Sequence, residues 1–212
     1  MITAALIDDH PVFRQGLKLL FDAQGGPRVV GEASDPAGAV QVVAATRPDV
    51  VLLDMMFPDG ASGLSIAREL LMQNRQQRIL FVTMSKEPSR VVDAFAAGAL
   101  GYATKDQSAQ DLLEAVRAVA SGRRYIASTL RLEDIEDQRR LVQGQNRQLD
   151  ALTPRERQVF DLTVGGLTAS TIGEKLSIST RTVETHRARI LAKLGAHSAT
   201  DLVRIAARAG VL

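Results

Sequence analysis

Apolar and polar positions alternate along this chain in two rhythms. Short apolar runs lie at 3–8, 28–33, 50–54, 78–83 and 100–104. Between them, apolar residues recur at helical spacing over roughly 13–24, 35–46, 63–74, 88–97 and 108–121. Brief runs bounded by turn residues read as buried strands, and the intervening periodicity reads as amphipathic helices. Five such strand–helix units predict an α/β fold, a doubly wound five-stranded parallel sheet with helices on both faces. Right-handed crossovers favour the strand order 2-1-3-4-5, the flavodoxin-like arrangement.

Residues 126–150 are strongly charged, with no proline and a single glycine, Gly144. Ile135, Val142 and Leu149 recur every seven residues, which is coiled-coil spacing, but the intervening Gln138 and Gln145 are polar. A weak seam and a solvated helical or disordered linker fit that pattern equally well. From Thr153 four short helical patterns follow. Thr153 is suited to cap the first, Pro154 to its first position and Glu156 to a capping box, and this helix stops at Gly165-Gly166. The others span about 168–176, 180–194 ending at Gly195, and 198–209 ending at Gly210. The tight turn Ser177-Ile178-Ser179 makes the middle pair a helix-turn-helix. The expected organisation is therefore a first domain over 1–125, a helical linker over 126–150 and an all-α four-helix domain over 151–212.

Charge separates these parts. Residues 1–125 carry 13 Lys/Arg and 14 Asp/Glu, residues 126–150 carry 4 and 5, and residues 151–212 carry 9 and 5. The net +4 of the last part suits a polyanion partner, with a plain solvated face as the alternative. The absence of cysteine excludes disulfides, thiolate metal sites and a cysteine nucleophile. Two aspartates by residue 9 argue against a signal peptide, and no apolar run approaches the length of about 20 residues that spans a bilayer. The expected location is the cytoplasm, without membrane contact.

The strand ends carry the chemistry. Asp8 and Asp9 follow Ala4-Ala5-Leu6-Ile7, Asp54 closes Val50-Val51-Leu52-Leu53, and Lys105 follows Gly101-Tyr102-Ala103-Thr104. Ligands of open α/β sheets bind beyond the carboxyl ends of the strands. Three carboxylates meeting there repel one another unless a divalent cation such as Mg²⁺ neutralises them. A lysine beside them can hold a phosphoryl oxygen, so the set suits transfer of phosphate onto a carboxylate.

Leu6-Ile7-Asp8-Asp9-His10, Asp54 with Pro58 four residues on, Thr83 and Lys105 together resemble a two-component receiver domain over about residues 1–122. The resemblance implies Asp54 as nucleophile toward a sensor histidine kinase. It implies Mg²⁺ held by Asp9, Asp54 and the Met56 carbonyl, with Asp8 acting through water. Lys105 and Thr83 would hold phosphate oxygens, and Tyr102 would be a switch aromatic. His10 reads as a surface or capping residue. Gly63 stands nine residues after Asp54, where the family usually has eight, so the loop between them is one residue longer.

Leu152-Thr153-Pro154-Arg155-Glu156-Arg157, Gly166-Leu167-Thr168, Ile178-Ser179, Thr182-Val183-Glu184-Thr185-His186 and Lys193-Leu194 resemble the LuxR-type helix-turn-helix over about 150–210. With the receiver, they indicate a response regulator of the NarL/FixJ type. Double-stranded DNA, RNA polymerase and a second copy of the chain after phosphorylation are the implied partners. On the third helix of this domain, Val183, Ile190 and Leu194 share a packing stripe. Glu184, Thr185 and Ala188 are the expected base readers, and Arg181, Arg187, Arg189 and Lys193 the expected phosphate contacts. Ala199, Leu202, Val203 and Ala206 form a candidate dimer stripe on the last helix. The second helix departs from the family: Ala169-Ser170-Thr171-Ile172-Gly173 lacks a lysine, and Gly173 should weaken the helix by about 1 kcal/mol relative to Ala. No enzymatic turnover is expected. The rivals are a phosphorylation-independent regulator and a metal-dependent phosphohydrolase built on the adjacent aspartates.

Overall fold

The computed structural model describes residues 1–209 and 211, apart from the side chains of residues 59, 145–148 and 208. The expected stop at Gly210 and the side chain of Gln145 lie outside the described residues. The chain divides into two compact units, Met1–Ile135 and Glu136–Leu212.

In the first unit, β1 (Thr3–Ile7), β2 (Arg28–Ala33), β3 (Val50–Leu53), β4 (Ile79–Thr83) and β5 (Gly101–Thr104) alternate with α1 (Pro11–Ala23), α2 (Pro36–Thr46), α3 (Gly63–Gln73), α4 (Pro88–Ala96) and α5 (Ala109–Ala120). The pairs are parallel, in the order β2-β1-β3-β4-β5, and a short β6 (Tyr125–Ile126) extends the sheet beside β5. Because side chains alternate across a strand, the central strands feed two cores at once. Ala5, Ile7, Val51, Leu53, Ile79 and Phe81 pack with residues of α2, α3 and α4, including Val43, Ile66, Leu70 and Val91. Ala4, Leu6, Val50, Leu52, Leu80 and Val82 pack with Leu17 and Phe21 of α1 and with Leu112 and Val116 of α5. Burial on both faces is why these strands read as continuous apolar runs.

β6 has no signature in the apolar pattern, since its two half-buried residues carry no periodicity. The strand forms because α5 ends in a turn, with Gly122 at φ +80, that returns the chain alongside β5. Gly101 then pairs with Tyr125 and Tyr102 with Ile126, and the Ala127 N–H donates to the Tyr102 carbonyl at 2.9 Å. Ala127, Leu130 and Ile135 join the core on the α2–α4 face. The first compact unit thus runs past residue 125, the boundary read from composition.

Helix α6 (Leu132–Asp150) follows. Its heptad positions are divided between the units: Ile135 is buried in the first unit's core and Leu149 in the second's. Two of the three seam residues are thus consumed within the units themselves, which accounts for their apolar character without a coiled coil.

The second unit holds α7 (Pro154–Val164), α8 (Ala169–Leu176), α9 (Thr180–Leu194) and α10 (Ala199–Arg208). Their core includes Val159, Phe160, Ile172, Val183, Ile190, Leu194, Leu202 and Ala206. The capping box of α7 is present, with the Glu156 N–H donating to Thr153 Oγ1 at 3.3 Å and the Thr153 N–H to Glu156 Oε2 at 2.8 Å. Between α8 and α9 the chain turns through Ser177 in the left-handed region, and the Ile178 N–H donates to the Gly173 carbonyl at 2.9 Å. A Cβ on Gly173 would stand 2.7 Å from the Ile178 carbonyl oxygen. Gly173 therefore permits a close backbone approach at the turn, which propensity alone does not register.

Candidate functional site

Strand β1 neighbours β3, and β4 alone separates β3 from β5, so the carboxyl ends of these parallel strands share one edge. Lys105 Nζ stands 2.6 Å from Asp54 Oδ2 and 2.7 Å from Asp8 Oδ2, bridging two buried carboxylates. The other Asp54 oxygen accepts the Met55 N–H at 2.6 Å and the Met56 N–H at 3.4 Å. Burial raises the Asp54 pKa above the ordinary carboxylate value, a shift that the Lys105 ammonium opposes without cancelling. Burial by itself would lower the Lys105 pKa, but hydrogen bonds and charge from Asp54 and Asp8 outweigh it and hold the amine above its usual value.

Ligand atoms of Asp8, Asp9, His10 and Asp54 all lie within 4.8 Å of one another. Asp9 Oδ1 is buried and makes no hydrogen bond. The His10 ring comes within 2.9 Å of it, without hydrogen-bonding geometry. A buried carboxylate oxygen without a donor, beside two more carboxylates, fits a hard divalent cation.

His10, expected as a surface or capping residue, is exposed, and Phe13 is a further neighbour of the site with no mark in the sequence. His10 holds the N-cap position of α1, but its side chain makes no cap hydrogen bond, and its ring leans over the acidic cluster instead. The Phe13 ring lies under the Lys105 ammonium at 4.7 Å, a cation–π contact. The His10 contacts are local, to the two residues before it, whereas the Phe13 contact depends on where α1 packs.

The loop after Asp54 folds back on itself. Met56 bridges Ser62, a 3₁₀ turn covers Pro58–Gly60, and the Gly63 N–H donates to the Met55 carbonyl at 2.8 Å. A Cβ on Gly63 would fall 2.0 Å from the Asp54 carbonyl oxygen. The longer loop therefore still brings a glycine against the Asp54 backbone. Thr83 is buried at the end of β4, where its carbonyl accepts the Lys105 N–H at 2.9 Å and its hydroxyl accepts the Ser85 N–H at 3.3 Å. Tyr102 is fully buried and donates to the Ser85 carbonyl at 3.0 Å, and burial pushes its pKa up to about 12. The partly exposed alternative for this ring does not hold.

In the second unit, α9 separates two faces. Val183, Ile190 and Leu194 are buried, while Arg181, Glu184, Thr185, Ala188 and Arg189 are exposed. Two of the expected phosphate contacts are engaged internally. Arg187 donates to the Leu167 carbonyl at 2.9 Å and the Thr163 hydroxyl at 3.2 Å, and pairs with Glu184 at 3.2 Å. Lys193 pairs with buried Glu156 at 2.6 Å. These cations lie on the flank where α9 meets α7, and the single-helix projection could not see that neighbour.

The expected dimer stripe divides in the same way. Leu202 and Ala206 are buried in their own domain's core, because α10 packs on α7 through that face. Ala199 and Val203 are the exposed members.

A doubly wound domain with this acidic strand-end site, joined to a helix-turn-helix domain, defines a receiver coupled to a DNA-binding regulator. Residues 4–117 match the response regulator receiver domain family and residues 150–206 match the bacterial regulatory proteins of the luxR family. The response regulator UvrY of Escherichia coli is 34% identical over 215 residues, covering 100% of this chain and 96% of that protein. The DNA-binding transcriptional activator DevR/DosR of Mycobacterium tuberculosis is 36% identical over 201 residues, covering 95% and 92%. A crystal structure of a two-component response regulator of the LuxR family from Aurantimonas sp. SI85-9A1 matches with a TM-score of 0.61 at 32% identity, over 66% of this chain and 98% of that one. The chain belongs to the response regulator family, as a transcriptional regulator of the LuxR type.

Proposed function

We propose that Asp54 accepts a phosphoryl group from a sensor histidine kinase, and that this modification controls DNA binding by a dimer at a two-fold-related operator. The observation that carries the reading is the Lys105 ammonium held between the buried Asp54 and Asp8 carboxylates, at 2.6 and 2.7 Å. Asp54 presents an oxygen at the end of β3. Lys105 would exchange its Asp54 contact for a phosphoryl oxygen as charge moves outward, and the Thr83 hydroxyl would hold a second. Asp8, Asp9 and Asp54 would hold Mg²⁺, with the Met56 backbone as a further ligand, and the ion would supply neutralisation of the phosphoryl charge. Transfer of this kind depends mainly on positioning and electrostatics, and in this reading the chain is a stoichiometric acceptor, not a turnover enzyme.

Glu184, Thr185 and Ala188 would read base edges from the exposed face of α9. Arg181 and Arg189, whose exposed guanidinium groups have no hydrogen-bond or ion-pair partner among the described residues, would contact phosphates. Among the described residues no helix is long and apolar enough to cross a membrane, which is consistent with a cytoplasmic site of action. The test is intact mass after treatment with acetyl phosphate and Mg²⁺. One added phosphoryl group, lost in Asp54→Asn, is expected. An unchanged mass would favour a phosphorylation-independent regulator, and sustained hydrolysis of a phosphate ester would favour a phosphohydrolase.

A further inference from the structure

Asp54, Thr83 and Lys105 line a groove of about 1080 Å³ together with α1, the segment after β4 and the start of α5. The part of the wall formed by α1 and α5 is apolar, with Phe13, Leu17, Leu20 and Leu112, and the segment after β4 adds Met84, which is 69% exposed, beside the polar Ser85, Lys86 and Glu87. Gly16 stands on the same wall, and a Cβ built there would meet nothing within 4 Å. A volume of this order, apolar with a few convergent polar groups at one end, is that of a small-molecule site. The polar end is the place where phosphorus must sit for attack by Asp54. In-line displacement sends the leaving group away from Asp54, outward into the groove.

We infer that the groove selects acyl phosphates with an extended aliphatic chain as direct phosphodonors to Asp54. This rests on the acceptor role proposed above. In the step, an Asp54 carboxylate oxygen forms the new bond to phosphorus, the bond from phosphorus to the acyl oxygen breaks, and its electron pair leaves on the acyl carboxylate. The leaving group departs as an anion and takes no proton, so the step needs no general acid. The products are phospho-Asp54 and a fatty carboxylate, whose chain lies against Phe13, Leu17, Leu20 and Leu112. The charge distribution supports this occupant, because Lys105 faces the phosphate end and the wall formed by α1 and α5 offers apolar surface to the chain.

The experiment compares acetyl, butyryl, hexanoyl and octanoyl phosphate as donors to the full chain, with the gain of phosphoryl mass followed over time. The second-order rate constant should rise by up to about fourfold for each buried methylene, the factor that corresponds to the transfer free energy of a CH₂ group. Gly16→Leu places a side chain in the open part of the groove, and it should pull the octanoyl-to-acetyl ratio down toward one. Octyl phosphonate, added without metal, should slow hydrogen exchange in α1 and the start of α5 more than methyl phosphonate does. No mass gain from acetyl phosphate would refute the acceptor role itself. A mass gain with no dependence on chain length would overturn the groove inference alone, and leave that surface to a protein helix. An unchanged ratio in Gly16→Leu, with octyl phosphonate protecting no amide of α1 or α5, would place any chain preference elsewhere.

Discussion

Arg187→Ala decides between two roles for one residue. As a phosphate contact, Arg187 would matter only when DNA is bound. In the structure its guanidinium ties α9 to the end of α7 and to the following turn, through the Thr163 hydroxyl at 3.2 Å and the Leu167 carbonyl at 2.9 Å. Its side chain is 22% exposed, so these are partly shielded bonds. Two such hydrogen bonds contribute on the order of 1 kcal/mol each, and the pair with Glu184 adds about 0.3 kcal/mol. Truncation to Ala should therefore destabilise the second unit by about 2 kcal/mol, a factor of roughly 30 in its opening equilibrium. Native-state hydrogen exchange on the full chain reads this directly, as a drop of that size in the protection of slow amides in α7 and α9. The first unit should keep its protection. Unchanged protection in α7 and α9, together with a salt slope of DNA binding lower by about one, would refute the structural role and restore the phosphate contact.

Gly63→Ala should lower the first unit's stability by about 2 kcal/mol or more in urea unfolding, since its Cβ meets backbone 2.0 Å away and neither side can yield like a flexible side chain. Wild-type stability in that variant would show that the loop relaxes freely. Tyr102→Phe removes the bond to the Ser85 carbonyl and should cost about 1 kcal/mol in the same measurement. If Tyr102 serves only the response to phosphorylation, the rate of mass gain from acetyl phosphate will stay the same in this variant. The hydrogen bond from Lys193, followed by that from the Thr153 backbone, holds the Glu156 pKa down to about 2, from an ordinary 4.5. A depressed carboxylate pKa gives stability that is present above the unfolded value and is lost as pH falls through the folded one. Exchange protection in the second unit should accordingly fall between about pH 4.5 and 2, and Glu156→Gln should lose most of that dependence. A pH profile identical to wild type in Glu156→Gln would assign the acid sensitivity to other groups.

Much of this protein is written in local pattern. The apolar runs ending in Asp8, Asp54 and Thr83 identify strands buried on both faces, and a parallel sheet then requires helices between them. Strand ends of such a sheet must share one edge, so Asp8, Asp9, Asp54 and Lys105 meet as a consequence of topology. The capping box at Thr153 and Glu156 is equally local, since both partners sit within one turn. What lay beyond the sequence depends on which surface each element meets. β6 exists because β5 offers it an edge, and Ile135 and Leu149 serve two separate cores although their spacing imitates a seam. A helical wheel shows that Arg187, Lys193, Leu202 and Ala206 lie off the main buried stripe or on it, but not what stands opposite. α7 stands opposite, and it takes the two cations as structural partners and the two apolar residues as core. Phe13 reaches Lys105 for the same reason, because the placement of α1 over the sheet is set by packing between residues far apart in the chain. Periodicity records that a face is buried, and only the assembled fold specifies the partner that buries it.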